Sequence, residues 1–264
     1  MPTPEKTQPE ILQPAKKPAL VLIHGFRGAP SGLETIARDL KKAGYKVYIP
    51  AIPPFANAPE LPDYTPDSYA DFLACYIRGH QLERPVLIGH SMGSIVAAAT
   101  ASKHPELVHH KLILLAPISN RTPKLFSLIA PLQNFVPRKF VDYVTTRYLF
   151  VPHDRKLFRE VMKLTNECSG NHPPKRQNAT AATKFSTRNC IDDFRLLQNI
   201  LLLTGKNDRV VSTKKTDQLA KKLQAETVYL ENSGHLHNYE KPHETATVII
   251  DFLEKSEKTK PQEK

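Results

Sequence analysis

Residues 89 to 93 read Gly89-His90-Ser91-Met92-Gly93. They follow the short apolar run Pro85-Val86-Leu87-Ile88 and lead into Ser94-Ile95-Val96-Ala97-Ala98-Ala99, a helix-forming run. A G-x-S-x-G turn between a strand and a helix makes Ser91 a candidate nucleophile. At such an elbow the chain reverses sharply and the serine takes a strained backbone. The residues two before and two after it approach each other, and Gly89 and Gly93 have no Cβ to clash there. The N–H of Met92, at the start of the helix, is placed to face an oxyanion. Because that contribution comes from the backbone, the pattern predicts a mild effect for Met92→Ala and a misfolded elbow for Gly93→Val.

A serine hydroxyl is a poor nucleophile at neutral pH and needs a base, which in turn needs a third group to fix its tautomer. In an open parallel sheet such groups lie in loops at the carboxyl ends of strands. The apolar runs at 19–23, 86–88, 111–116, 200–203 and 226–230, with 45–49, predict about six strands. Helical spacing between them is read at 31–43, where Ser31 is the expected N-cap and Gly44 closes the helix, and at 67–82, 92–103, 212–223 and 243–254. In the 67–82 helix Tyr69, Phe72, Leu73 and Tyr76 form the expected apolar side. Strands alternating with helices predict an α/β fold, a mostly parallel sheet covered by helices on both faces.

After the run at 200–203 comes Thr204-Gly205-Lys206-Asn207-Asp208, and after 226–230 comes Glu231-Asn232-Ser233-Gly234-His235. Asp208 and His235 therefore sit in two late strand-end loops, and the chain order is Ser, Asp, His. Asp208 also fits a simple turn or N-cap aspartate, and His237 competes with His235 for the role of base. His24 and His90 flank the site but read as parts of backbone turns. The second oxyanion donor is expected from His24-Gly25-Phe26, with Gly25 letting the backbone approach and Phe26 offering its N–H.

About 80 residues separate the strand ending at 116 from the one starting at 200, too many for a simple crossover. Apolar helical spacing at Leu125, Leu128, Ile129 and Leu132, and again at Phe158, Val161, Met162 and Leu164, predicts a helical lid inserted at the edge of the site. The expected organisation is a flexible arm at 1–18, core at 19–116, lid at 117–198, core at 199–254 and a polar tail at 255–264. The lid stretch is basic, with 14 Lys and Arg against 6 Asp and Glu in a chain of formal net charge +11. No nucleic-acid motif accompanies these charges, so they read as a solvated basic face, with steering of anionic substrates as the second reading.

The arm lacks the apolar core of a signal peptide, and no apolar stretch is long enough to span a membrane. The three cysteines, Cys75, Cys168 and Cys190, are too few and too scattered for a disulfide scaffold or a metal site, and fit a reducing cytoplasm. A Cys168–Cys190 pair has no support in the pattern. No cofactor motif is present, and a monomer or homodimer is expected.

Together the His-Gly-Phe loop, Gly-His-Ser-Met-Gly, Gly205-x-x-Asp208-x-x-Val211 and Ser-Gly-His235, with Glu240 and Pro242 downstream, resemble the α/β-hydrolase superfamily in its lidded serine esterase/lipase-like branch. The resemblance covers residues 19 to 254. It implies Ser91 as nucleophile, His235 as base, Asp208 as acid, and Phe26 and Met92 as oxyanion donors. Serine at the elbow sets the chain apart from the branches that use aspartate there, the haloalkane dehalogenases and soluble epoxide hydrolases. The resemblance further implies an acyl-enzyme route on a small carboxylic ester, one carrying an anionic group if the basic lid steers it. Thioesters, lactones and the carbon–carbon bonds of diketones share that chemistry. An idle ligand-binding protein on the same fold is the reading of another class.

Two departures from the family pattern stand out. There is little room for an extra antiparallel strand pair before residue 19. In place of an Asp-x-x-Gly-x-Gly-x-Ser loop the chain has Ile52-Pro53-Pro54-Phe55-Ala56-Asn57.

Overall fold

A computed structural model of the chain describes residues 17–118, 156, 157, 159–161, 163 and 199–255. Six strands form one sheet: β1 (Leu20–Ile23), β2 (Val47–Tyr48), β3 (Val86–His90), β4 (Lys111–Leu115), β5 (Asn199–Gly205) and β6 (Glu226–Leu230). Their order is β2-β1-β3-β4-β5-β6, and all five pairings are parallel. The inner strands β1, β3, β4 and β5 are buried on both faces because both faces are covered. Val21, Ile23, Leu87, Leu112, Leu114 and Leu202 point to one layer, while Leu20, Leu22, Val86, Ile88, Ile113, Leu115, Leu201 and Leu203 point to the other.

The first layer is covered by α2 (Pro66–Gly79), α3 (Met92–Lys103) and α4 (Thr213–Leu223), through residues such as Tyr69, Leu73, Ile95 and Leu219. The second is covered by α1 (Glu34–Lys42) and by α6 (Pro242–Glu254), which follows a short α5 (His237–Glu240). Ile36, Leu40, Ala246, Ile249 and Phe252 carry that contact.

The sequence reading differs from the structure at several places. Ser31 lies inside a 3-10 turn (Pro30–Leu33) ahead of α1, and the N-cap positions of that turn and of α1 fall to Ala29 and Leu33, because Pro30 already starts the turn. Gly44 does take a left-handed backbone (φ 89°) just past the end of α1, where a Cβ would be strained. On α2, Phe72 and Tyr76 are only half-buried, and the buried stripe is Tyr69, Ala70, Leu73, Ala74 and Ile77. Its start is fixed by Thr65, whose side chain accepts from the Ser68 N–H at 3.3 Å, with Pro66 in the first turn. Helix α5 was absent from the periodicity, which a four-residue element cannot establish.

Most of the expected insertion at 117–198, including Cys168 and Cys190, lies outside the described residues, as do nearly all of the expected arm and tail. Residues 156, 157, 159–161 and 163 are helical. Val161 is buried there against Leu157, Leu236 and Tyr239, beside the loop that carries His235. Among the described residues, no helix is long and apolar enough to cross a membrane.

The chain runs from β1 outward to β2, then returns past β1 to β3. The strand order therefore reverses between β1 and β3, and open α/β sheets place their ligands at the carboxyl ends of the strands at such a switch point. Ser91 follows β3 and His24 follows β1, so both stand at that switch point.

Candidate active site

Ser91 sits between β3 and α3 with φ 53° and ψ −116°, a conformation that costs a non-glycine residue of order 1–3 kcal/mol. The surroundings hold it there. Its N–H donates to Leu115 O at 2.8 Å, and its carbonyl accepts from the Ser94 N–H at 2.9 Å and the Ser94 hydroxyl at 2.6 Å. A Cβ on Gly89 would fall on the Gly93 carbonyl, as expected for a tight elbow. A Cβ on Gly93, however, would strike the Ile23 carbonyl of β1, so this glycine is required by the neighbouring strand rather than by Gly89. Gly93→Val should therefore cost at least about 3 kcal/mol, the upper end of overpacking penalties. Thermal unfolding followed by circular dichroism checks this. A melting temperature equal to that of the wild type would show that β1 can yield.

Three side chains meet here. His235 Nε2 is 2.9 Å from Ser91 Oγ, and His235 Nδ1 is 2.8 Å from Asp208 Oδ2. All three residues are buried, and the Asp208 side chain is fully enclosed. The two oxygens of Asp208 have different partners. Oδ2 faces His235, while Oδ1 accepts from the N–H groups of Val210 (2.7 Å) and Val211 (2.8 Å), closing a turn that fixes the carboxylate. Close packing locks this loop to its neighbour, since a Cβ on Gly205 would run into the carbonyls of Ser233 and Gly234. Glu240 adds a second hold, with Oε2 accepting from the Gly234 N–H at 2.7 Å and the Ser233 hydroxyl at 3.1 Å.

His237 does not join this arrangement. It lies in α5, wholly buried, with Nδ1 3.1 Å from Thr245 Oγ1. Gly25 packs directly on the elbow, where a Cβ would stand 3.1 Å from Ser91 Cβ. This brings the backbone at Gly25 against the serine. Met92 is the first residue of α3, and the first N–H groups of a helix have no acceptor within it. The Met92 side chain is buried in the core, so Met92→Ala would remove packing as well and is no longer expected to be mild for stability.

Two histidines read from the sequence as turn residues turn out to be part of the scaffold. His24 is buried, and its Nε2 accepts the Ile52 N–H at 2.9 Å. The proton is thus on Nδ1, which donates to Gly25 O at 2.9 Å. One ring pins the loop after β1 to the loop at 51–58. That second loop is also held by the Tyr69 hydroxyl donating to Pro53 O (2.7 Å) and by Phe55, whose ring meets Phe26 edge-on at 5.2 Å. Residue order alone could not pair His24 with Ile52. The second histidine, His90, is treated below.

Burial pushes His24 down to about 4 and, with neighbouring His235 adding to the effect, His90 down to about 3, and it holds His237 well below the usual histidine range. All three are neutral when folded and take up protons more readily when unfolded. Their contribution to stability is therefore complete above about pH 6.5 and is lost as pH falls from there toward their folded values. The slope is up to about 1.4 kcal/mol per pH unit for each histidine. The melting temperature should fall steadily from pH 7 to pH 5. A flat profile in calorimetry over that range would contradict the burial of these rings.

An elbow serine, a histidine in reach of it, an aspartate behind the histidine and a six-stranded parallel sheet define the architecture of an α/β hydrolase. Residues 20–248 match the Alpha/beta hydrolase family, and the chain belongs to that family. It is 25% identical to the uncharacterized hydrolase YugF of Bacillus subtilis, over 92% of this chain and 93% of YugF. It is 23% identical to human monoacylglycerol lipase ABHD6, over 91% of this chain and 77% of that protein. The fold is also that of an esterase from Exiguobacterium antarcticum, with a TM-score of 0.79 at 17% identity, covering 89% of this chain and 91% of that one. Membership of that family and the lipase relative mark the chain as a hydrolase of the broad esterase/lipase type.

Proposed function

We propose that this chain is a serine hydrolase acting on carboxylic esters. The observation that carries this reading is the linear relay Ser91 Oγ–His235 Nε2 (2.9 Å) and His235 Nδ1–Asp208 Oδ2 (2.8 Å), in a buried setting and on a strained elbow. In this reading the Asp208 carboxylate accepts from His235 Nδ1–H, leaving Nε2 free to take the Ser91 proton. Ser91 Oγ attacks the ester carbonyl, and the N–H groups of Phe26 and Met92 stabilise the tetrahedral oxyanion, each worth on the order of 3 kcal/mol in the barrier. The proton on His235 passes to the leaving alkoxide as the C–O bond breaks. Water, deprotonated by His235, then releases the acid from the acyl-enzyme and restores Ser91.

The monoacylglycerol lipase relative supports an ester over other acyl substrates. Residues 117–198 are the proposed lid, and Val161 against Leu236 supports a placement beside the base. A p-nitrophenyl ester series of increasing acyl length tests the substrate class, with kcat/KM expected to peak at one chain length. Measurable turnover of thioesters or lactones alone, with none of these esters, would overturn it.

A further inference from the structure

His90 has no part in the relay, yet it holds the base. Its Nε2 is 3.0 Å from the backbone carbonyl of His235, 145 residues away in the chain. A carbonyl only accepts, so this nitrogen carries the proton. The ring is buried among other imidazoles, 5.4 Å from His235 and 5.8 Å from His237, with His24 and Asp208 as further titratable neighbours. With its pKa pushed down to about 3 by burial, it stays a neutral donor across the working range.

We propose that His90 is a positioning residue: its Nε2–H fixes the His235 backbone against the end of β3, and so sets the distance from His235 to the adjacent Ser91. This inference rests on the serine-hydrolase reading above. Asp208 orients the imidazole ring through Nδ1, whereas His90 holds the backbone carbonyl behind it. Glu240 grips Ser233 and Gly234 from outside, and β4 and β5 separate β3 from the strand that leads into this loop. Among these contacts, the His90 bond is the one that ties the backbone of the base to the residue preceding the nucleophile. One backbone-directed hydrogen bond thereby ties two loops three strands apart, where a misplacement of about 1 Å can cost a hundredfold in rate.

The test compares His90→Leu with His90→Gln, whose side-chain amide reaches about as far as Nε2. The readouts are kcat and KM on p-nitrophenyl butyrate and the second-order rate of labelling by a fluorophosphonate. His90→Leu should lower kcat and the labelling rate about 30-fold, with KM changed less than about twofold, and His90→Gln should recover to within about fivefold of wild type. In an Asp208→Asn background, where His235 already presents a donor rather than a base to Ser91, His90→Leu should add less than about threefold. A wild-type protein that reacts, alongside a leucine variant that reacts equally fast, overturns the positioning role and leaves the hydrolase reading intact. So does a glutamine variant no better than leucine at equal melting temperature. A wild-type protein that never reacts overturns the hydrolase reading and the positioning role with it. Should the leucine variant not fold, nitrogen-15 NMR of the wild-type rings decides. The His90 signal must be that of the neutral Nε2–H tautomer at pH 7, and an Nδ1–H tautomer overturns the proposal.

Discussion

Ser91→Ala is expected to abolish fluorophosphonate labelling and to lower kcat on the best p-nitrophenyl ester by about 10⁶-fold, the scale on which loss of a nucleophile disables a serine relay. The fold should survive, because the elbow is held by groups other than Oγ. The Ser91 N–H bond to Leu115 and the bonds from Ser94 to the Ser91 carbonyl are backbone features that alanine retains. Alanine meets the same positive φ as serine, so the strain is unchanged. What alanine leaves behind is a buried His235 Nε2 without its partner, a cost of about 1–3 kcal/mol at most. The experiment pairs mass-spectrometric mapping of the labelled residue with a melting curve. A variant that keeps its label, or a wild-type label on another residue, would remove Ser91 from the mechanism.

The second large effect is expected from Asp208→Asn, which should lower kcat about 10⁴-fold. The reason is the split use of the two carboxylate oxygens. The substituted side chain keeps an oxygen to accept from Val210 and Val211, so the turn persists. It then presents an NH₂ group to His235 Nδ1, where the carboxylate presented an acceptor. The imidazole must accept at Nδ1 and carry its proton on Nε2, pointing a donor at Ser91 Oγ when a base is needed. Asp208→Ala should be comparably inactive and, by orphaning the buried Val211 N–H and the part-buried Val210 N–H, less stable by a further 1–3 kcal/mol or so. Comparing the two variants by kcat and by melting temperature separates the chemical role of one oxygen from the structural role of the other. An asparagine variant within tenfold of wild type would show that His235 holds its tautomer without Asp208.

Much of this molecule could be read from local pattern. Continuous apolar runs mark strands buried on both faces, and Glu226–Leu230 and Met92–Lys103 have the bounds their composition indicates. The order of Ser91, Asp208 and His235 at strand ends follows from the same runs, because side chains that close a parallel strand must face its carboxyl edge. What the pattern missed depends on contacts between segments far apart in the chain. Ser31 looked like a cap until Pro30 began the turn before it. Gly93 looked like the partner of Gly89, but the atom it avoids belongs to β1.

The sequence by itself determined the fold class and the family, and it offered Ser91, Asp208 and His235 as a candidate relay with His237 as a competing base, since each is written in local composition and in motif order. Only the tertiary structure decided how the site is held: His24 on Ile52, His90 on the carbonyl of His235, Glu240 on Gly234, and His237 turned away to Thr245. The physical reason is that these histidines gain their roles from burial and from a single long-range partner each. Neither leaves a periodicity or a spacing along the chain, so their chemistry exists only once the strands are side by side.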